Sequence, residues 1–181
     1  WFLATHLQLG LDKSQQKIIS DTFADLTSAV LEQPQAFVHR DYHSRNLMLT
    51  ETDNPGIIDY QDAVLGAITY DLVSLLRDCY IAWSENKVEQ WALAYRDQAV
   101  EAGVIGSVDN DIFMRWFDLM GLQRHIKVLG IFARLYHRDG KENYLNDLPQ
   151  TVEYVMQVGK KYPETQALVQ LFEELGIAKK I

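Results

Sequence analysis

The strongest constraint on the fold lies in residues 109–136, where apolar residues recur at helical spacing and point to nearly every side of a helix. A surface helix needs apolar residues on one face only, so a helix that is apolar nearly all round must be buried on most faces. The segment is therefore predicted to lie at the centre of a helical assembly. Its apolar positions are Ile112, Phe113, Trp116, Phe117, Leu119, Met120, Leu122, Ile126, Leu129, Ile131, Phe132 and Leu135.

Helical patterns also dominate the two ends of the chain. Capping residues and prolines mark where these helices start, and a proline or a glycine marks where they stop. The predicted starts are Ser14, Thr69, Ser84, Pro149 and Pro163, and the predicted ends are Pro34, Gly103 and Gly176.

The pattern changes between residues 37 and 60. Three short apolar runs occur there, at 37–39, 47–50 and 56–60, and the last two are separated by the turn-forming residues 51–55. We predict two or three short strands, including a β-hairpin, with a functional loop at 41–46. The expected fold is one mainly helical α+β domain spanning residues 1–181.

Composition limits the possible partners. The 181 residues include 25 acidic and 17 basic side chains, for a net charge of −8. An acidic chain without a basic run is a poor ligand for nucleic acid or an anionic membrane, and we expect neither partner. A single cysteine excludes an internal disulfide and is compatible with a reducing, cytoplasmic location. Residues 1–6 lack an initiator Met and a basic region, so we expect no signal peptide there.

Four common patterns do not lead to a function. Ser14 and Lys17 match S-x-x-K, but a polar helix start explains them, and no K-T-G follows. His39 and His43 are four residues apart, but Arg40 occupies the Glu position of the zinc motif H-E-x-x-H. Neither a phosphate-binding G-x-x-x-x-G-K-[ST] nor a G-x-G-x-x-G is present.

Residues 39–59 carry the informative pattern. It reads H-x-D-x-x-x-x-N from His39 to Asn46, and an Asp at 59 closes an apolar run. A loop carboxylate such as Asp41 can orient an acceptor hydroxyl and take its proton. The amide oxygen of Asn46 and the carboxylate of Asp59 are hard ligands suited to Mg²⁺. A hairpin with polar residues at its mouth is the simpler reading, but the spacing of all three groups favours phosphoryl transfer.

These residues resemble the catalytic and metal-binding loops of the protein-kinase-like superfamily. The neighbouring residues are more similar to the aminoglycoside phosphotransferase and choline kinase branch, which favours H-G-D-x-H-x-x-N followed by I-D-x-x-x-A. His43 and Ala63 fit that pattern, whereas Arg40 stands where Gly is usual. Gly66 followed by Tyr70-Asp71-Leu72 resembles a further element of the branch.

The resemblance implies the fold, the cofactors and two supporting residues. The chain would be the C-terminal lobe of a kinase-like fold, using Mg²⁺ and ATP or GTP as phosphoryl donor. His39 would brace the loop through hydrogen bonds rather than transfer protons. Asp71 would hold the catalytic loop or cap its own helix.

The acceptor side is less defined. Residues 123–132 and 141–145 look similar to bacterial cell-wall kinases that phosphorylate N-acetylmuramate and N-acetylglucosamine at the anomeric hydroxyl, so a sugar, aminosugar or aminoglycoside is the expected acceptor. Arg124, His125 and Arg134 recur along one helix and could line the acceptor site, although pairing with acids such as Asp118 and Asp139 is the favoured alternative. Asp62 could contact the acceptor or belong to a turn.

The resemblance also implies a partner lobe. Members of the branch hold the nucleotide with an N-terminal lobe that carries a strand lysine. The only lysines before Asp41 are Lys13 and Lys17, both in a helical pattern. We therefore expect that residues 1–181 fold alone but show no measurable kinase activity until that lobe is added. The alternative is a truncated, non-catalytic kinase lobe used for binding.

Overall fold

A computed structural model describes all residues 1–181. The longer helices are α1 (Lys13–Leu31), α2 (Tyr70–Leu76), α3 (Glu85–Glu101), α4 (Asn110–Asp139), α5 (Leu148–Gly159) and α6 (Pro163–Glu174). Shorter helical turns are Phe2–His6, Ser44–Asn46, Glu142–Asp147 and Ile177–Lys179. The strands are β1 (Gln35–Val38), β2 (Leu47–Met48), β3 (Gly56–Ile57) and β4 (Val64–Ala67). The prediction of a mainly helical chain is confirmed.

The chain divides into two compact units, one formed by residues 1–28 and 122–181 and the other by residues 29–121. Helix α4 contributes to both. It covers the predicted 109–136 segment, and its buried side chains include Phe113, Phe117, Leu122 and Leu129. Its first turn is less buried than the pattern suggested, because Ile112 remains 46% exposed.

The unit of residues 29–121 contains all the strands. Its core gathers apolar side chains of α2, α3 and the first part of α4. The hairpin of β2 and β3 forms as predicted, with Leu47 opposite Ile57 and Met48 opposite Gly56. The pairing of β1 with β4, which places Val38 opposite Val64, was not predicted. Periodicity indicates that a strand exists but not which distant strand it joins.

All three predicted side-chain caps are wrong. Ser84 directly precedes α3, but its side chain makes no capping bond. Helix α1 begins one residue before Ser14, and Asp12 caps it: Asp12 Oδ1 accepts the Gln15 N–H at 2.9 Å, while Gln15 Oε1 accepts the Asp12 N–H at 3.1 Å. This reciprocal pair is a capping box, and it places the cap two residues before the predicted Ser14. Thr69 precedes α2, but its hydroxyl bonds Gln33 Oε1 at 2.6 Å instead of capping the helix.

In the unit of residues 1–28 and 122–181, α5 and α6 pack against each other at a glycine. A methyl group added at Gly159 would lie 2.5 Å from Cγ2 of Val169, which is closer than side-chain carbons approach. Both residues are buried. The contact therefore depends on the absence of a side chain at Gly159.

No helix of the structure combines the length and the apolar character that crossing a membrane requires.

We predict that Gly159→Ala lowers the free energy of unfolding by about 1–3 kcal/mol, the usual cost of overpacking a core. The matched control is Gly130→Ala in α4, where no heavy atom beyond the adjacent residues and the helix's own backbone lies within 4 Å of the added methyl group. That change should stabilise by about 0.5–1 kcal/mol, because Ala is the better helix former. Chemical denaturation of both variants checks this, and equal effects would contradict the packing described.

Candidate catalytic and metal-binding site

The loop that carries Asp41 begins with an unusual backbone. Arg40 has φ of +76°, in the left-handed region that glycine adopts most easily. The family pattern has Gly at this position, and the observed φ supplies the physical reason. Arg40 stays left-handed at some conformational cost, so neighbouring contacts must hold it there.

Asp71 supplies those contacts from the first turn of α2. Its Oδ2 accepts the backbone N–H of His39 at 2.5 Å, and its Oδ1 accepts the N–H of Arg40 at 3.0 Å. One carboxylate therefore fixes two successive amides immediately before Asp41. Asp71 also affects Tyr95. Burial of the Tyr95 phenol raises its pKa, and the negative charge of Asp71 raises it further.

His39 links the loop to the strand that precedes Asp59. Its ring is buried, and Nε2 lies 3.0 Å from the carbonyl oxygen of Ile58. Because a carbonyl oxygen only accepts, Nε2 carries the hydrogen and donates it. The hydrogen bond holds the backbone one residue before Asp59.

Asn46 connects the same two parts of the chain. Its Nδ2 donates to the backbone carbonyl of Asp41 at 2.8 Å, and its own carbonyl accepts the N–H of Ile58 at 3.2 Å. Since the acceptor at Asp41 requires the NH₂ side of the amide, Oδ1 of Asn46 is directed elsewhere. The structure thus joins Asn46 to the residues at and beside the two predicted carboxylates.

Asp59 is the second residue of the site with a left-handed backbone, at φ of +68°. Gln61 Nε2 donates to Asp59 Oδ1 at 2.5 Å, which leaves Oδ2 for another partner. Asp41, Asp59 and Asp62 are all exposed. Asp62 lies in the turn before β4, and only its backbone carbonyl has a described contact, at 3.5 Å from Arg40 Nη1.

The residues predicted to line the acceptor site belong to the other unit. His125 is buried in that unit and stacks on Tyr154, with ring centroids 4.7 Å apart and planes 10° apart. Arg124 and Arg134 are half-buried on the same helix. Their role toward an acceptor stays a prediction.

The two acids offered as their alternative partners have other bonds. Asp118 accepts a hydrogen bond from Arg77 at 2.6 Å. Asp139 pairs with its neighbour Arg138, which lowers the pKa of Asp139 mainly through the hydrogen bond, with smaller contributions from the charges of Lys141 and Arg134.

Two residues that contact the loop, Asp78 and Tyr80, were not predicted from the sequence. Asp78 and Tyr80 follow α2 and contact residues 43–45. A carboxylate directly after an apolar helix was the one available signal, and it does not reveal its partner 34 residues away.

Comparison with known proteins extends the resemblance. Residues 1–104 match the model of the phosphotransferase enzyme family. The chain is 45% identical over 175 residues to an N-acetylmuramate/N-acetylglucosamine kinase of Neisseria meningitidis, covering 97% of this chain and 52% of that protein. Kinases of the same name from Pseudomonas putida and Pseudomonas aeruginosa are 42% and 43% identical, over 97% of this chain and 51% and 52% of theirs.

The chain therefore spans about half the length of these curated relatives. The family match covers the whole segment that carries the candidate site, from His39 to Asp71. By this match, the chain belongs to the phosphotransferase enzyme family.

Proposed function

We propose that the chain supplies the catalytic base and the metal ligands of a cytoplasmic, nucleotide- and Mg²⁺-dependent kinase that phosphorylates a hydroxyl of an aminosugar. Asp41 is the base, and Asn46 and Asp59 hold the metal. The observation that carries the proposal is the double attachment of Asn46, through its amide to Asp41 and through its backbone to Ile58.

The donor set fits Mg²⁺. Asn46 Oδ1 and Asp59 Oδ2 are hard oxygen ligands, and Mg²⁺ commonly takes only one or two protein ligands, with water and phosphate oxygens completing its shell. No group of three or more His, Cys, Asp or Glu side chains is arranged to hold a metal in the chain. A site of one carboxylate and one amide does not require such a group. Bound there, the ion would neutralise charge on the phosphates.

In this proposal the residues divide the work of the transfer. Asp41 accepts the proton of the acceptor hydroxyl while the hydroxyl oxygen forms a bond to the γ-phosphorus. The bond from that phosphorus to the β,γ-bridging oxygen breaks, and the nucleoside diphosphate leaves with the electron pair. His39 and Asp71 contribute by holding the backbone on which Asp41 and Asp59 stand. Positioning of this kind supplies much of the catalysis in phosphoryl transfer.

The remaining elements rest on the relatives. The three kinases at 42–45% identity carry the names of two N-acetylated aminosugars, so these are the first acceptors to test, ahead of aminoglycosides. ATP or GTP is the proposed donor. We further propose that residues 1–181 form the C-terminal lobe of a kinase-like fold and that an N-terminal lobe clamps the nucleotide.

In the parent protein that carries the chain, we expect Asp41→Asn to lower kcat by roughly 10²–10⁴-fold, the usual contribution of a positioned base. Folding and nucleotide binding should change little, because the Asp41 side chain is exposed. Asp53→Asn is the matched control: it alters another exposed aspartate, and its φ of +53° suits Asn. Turnover near wild type in Asp41→Asn removes Asp41 from the role of base.

Asp59→Asn should weaken Mg²⁺-dependent nucleotide binding by more than roughly 10–100-fold. That range is the usual loss of metal affinity when a residue that only hydrogen-bonds to a metal ligand is replaced, and Asp59 is proposed to be a ligand itself. Asn tolerates the left-handed backbone at this position better than Ala does, so the variant separates metal binding from strain. Asp59→Ala should abolish the same binding. Titration calorimetry with and without Mg²⁺ measures it, and an unchanged affinity for Mg·ATP would exclude Asp59 as a ligand.

Acceptor choice is tested by incubating the parent protein with ATP, Mg²⁺ and a panel of N-acetylated aminosugars, other sugars and aminoglycosides. We expect phosphorylation of N-acetylmuramate or N-acetylglucosamine. Transfer to aminoglycosides but not to free aminosugars would reverse the proposed ranking. No transfer to any hydroxyl compound would favour the non-catalytic binding module.

A further inference from the structure

Asp78 is a buried carboxylate whose oxygens face the loop of the candidate site. Only 4% of the residue is exposed. Its Oδ2 accepts two hydrogen bonds from Ser44, from the hydroxyl at 2.6 Å and from the backbone N–H at 3.2 Å. Its Oδ1 accepts the N–H of Tyr80 at 3.1 Å. Burial strengthens such bonds and makes their loss costly.

These bonds secure the short turn that carries Asn46. Residues Ser44–Asn46 form a single 3₁₀ turn, and the first amides of such a turn have no partner inside it. The preceding residue, His43, makes no side-chain capping bond. Asp78 takes that role from 34 residues along the chain.

Tyr80, two residues after Asp78, makes further contacts with the same turn. The guanidinium of Arg45 lies 3.4 Å from the centre of the Tyr80 ring, within the range of a cation–π contact. The ring of His43 meets Tyr80 edge to face, with centroids 5.9 Å apart. Three successive residues, 43–45, are therefore held by the segment after α2.

The Ser44–Asn46 turn fixes the backbone of Asn46. The N–H of Asn46 bonds the carbonyl of His43 at 2.9 Å, and the N–H of Leu47 bonds the carbonyl of Ser44. From this backbone the Asn46 side chain reaches the carbonyl of Asp41. A shift of the turn would move the Asn46 side chain, and with it Oδ1, the proposed metal ligand.

We infer that Asp78 is a positioning residue for the metal site: by anchoring the Ser44–Asn46 turn, it sets the place of the Asn46 oxygen that binds the cation. The inference rests on the proposed function, because it takes Asn46 as a metal ligand. Asp78 itself touches neither metal nor substrate.

Asp78→Asn is the informative change, because it conserves size but replaces one acceptor oxygen with an NH₂ donor. Whichever way the amide points, a donor then faces either the Ser44 donors or the Tyr80 N–H. Ser44→Ala is a milder second variant that removes the hydroxyl bond and leaves the backbone bond. Thr165→Val is the control for general destabilisation, since it conserves size and removes the buried hydroxyl that donates to the carbonyls of Gly159 and Tyr162 in the other compact unit.

The experiment uses the parent protein and two readouts that need no turnover. Hydrogen-exchange mass spectrometry follows peptides covering residues 43–48. Electron paramagnetic resonance measures Mn²⁺ affinity in the presence of a non-hydrolysable ATP analogue. For Asp78→Asn we expect faster exchange in this segment and Mn²⁺ affinity weakened roughly 10–100-fold, the usual effect of losing a residue that orients a metal ligand. Ser44→Ala should shift both readouts in the same direction by less.

A double-mutant cycle separates positioning from general destabilisation. If Asp78 acts through Asn46, then Asp78→Asn has no further effect on Mn²⁺ affinity in an Asn46→Ala background. Thr165→Val should lower the thermal midpoint and leave Mn²⁺ affinity and the exchange of residues 43–48 at wild-type values.

Three results would overturn the inference: unchanged exchange of residues 43–48 in Asp78→Asn, faster exchange with unchanged Mn²⁺ affinity, or additive effects in the cycle. Absence of Mn²⁺ binding in the wild type would instead count against the proposed function. The exchange of residues 43–48 would still decide whether Asp78 anchors the turn.

Discussion

The two hydrogen bonds that the backbone amides of His39 and Arg40 donate to the carboxylate of Asp71 are the contact on which the rest of the candidate site depends. They hold a non-glycine residue at φ of +76°, a backbone that few side chains adopt without support. The same turn of chain directs the His39 ring to the carbonyl of Ile58, one residue before Asp59. A single carboxylate on α2 thereby sets the backbone at both predicted acids.

The site is assembled from segments that are close in sequence and lie in one compact unit. Asp71 fixes the beginning of the loop, Asp78 its end, and the hairpin of β2 and β3 returns the chain to Asn46. These supporting carboxylates are half-buried or buried and hydrogen-bonded, whereas Asp41 and Asp59 are exposed. Two exposed carboxylates repel a polyanionic nucleotide unless a cation lies between the carboxylates and the phosphates. The negative charge of the site is therefore consistent with the proposed Mg²⁺.

The sequence predicted the parts that local patterns encode. The long buried helix, the hairpin, and the loop with Asp41 and Asn46 all follow from spacing over a few residues, and the family assignment is confirmed. What was missed depends on distant contacts: the pairing of β1 with β4, and the bonds of Asp78 to Ser44. The left-handed backbone at Arg40 was hidden for a different reason, because Arg carries no conformational signature, and only the glycine of the family pattern pointed to it. The capping box of Asp12 and Gln15 has a local signature, an Asp followed three residues later by a Gln, so the sequence does encode it.

The central claim is that Asn46 and Asp59 together hold a divalent cation beside the base Asp41. Anomalous diffraction from crystals of the parent protein with Mn²⁺ and a non-hydrolysable ATP analogue tests it most directly. We expect one anomalous peak within coordination distance of both Asn46 Oδ1 and an Asp59 carboxylate oxygen, with Gln61 displaced or retained on the other oxygen. A Mn²⁺ peak bound to the nucleotide alone, or to protein groups that include neither residue, would contradict it.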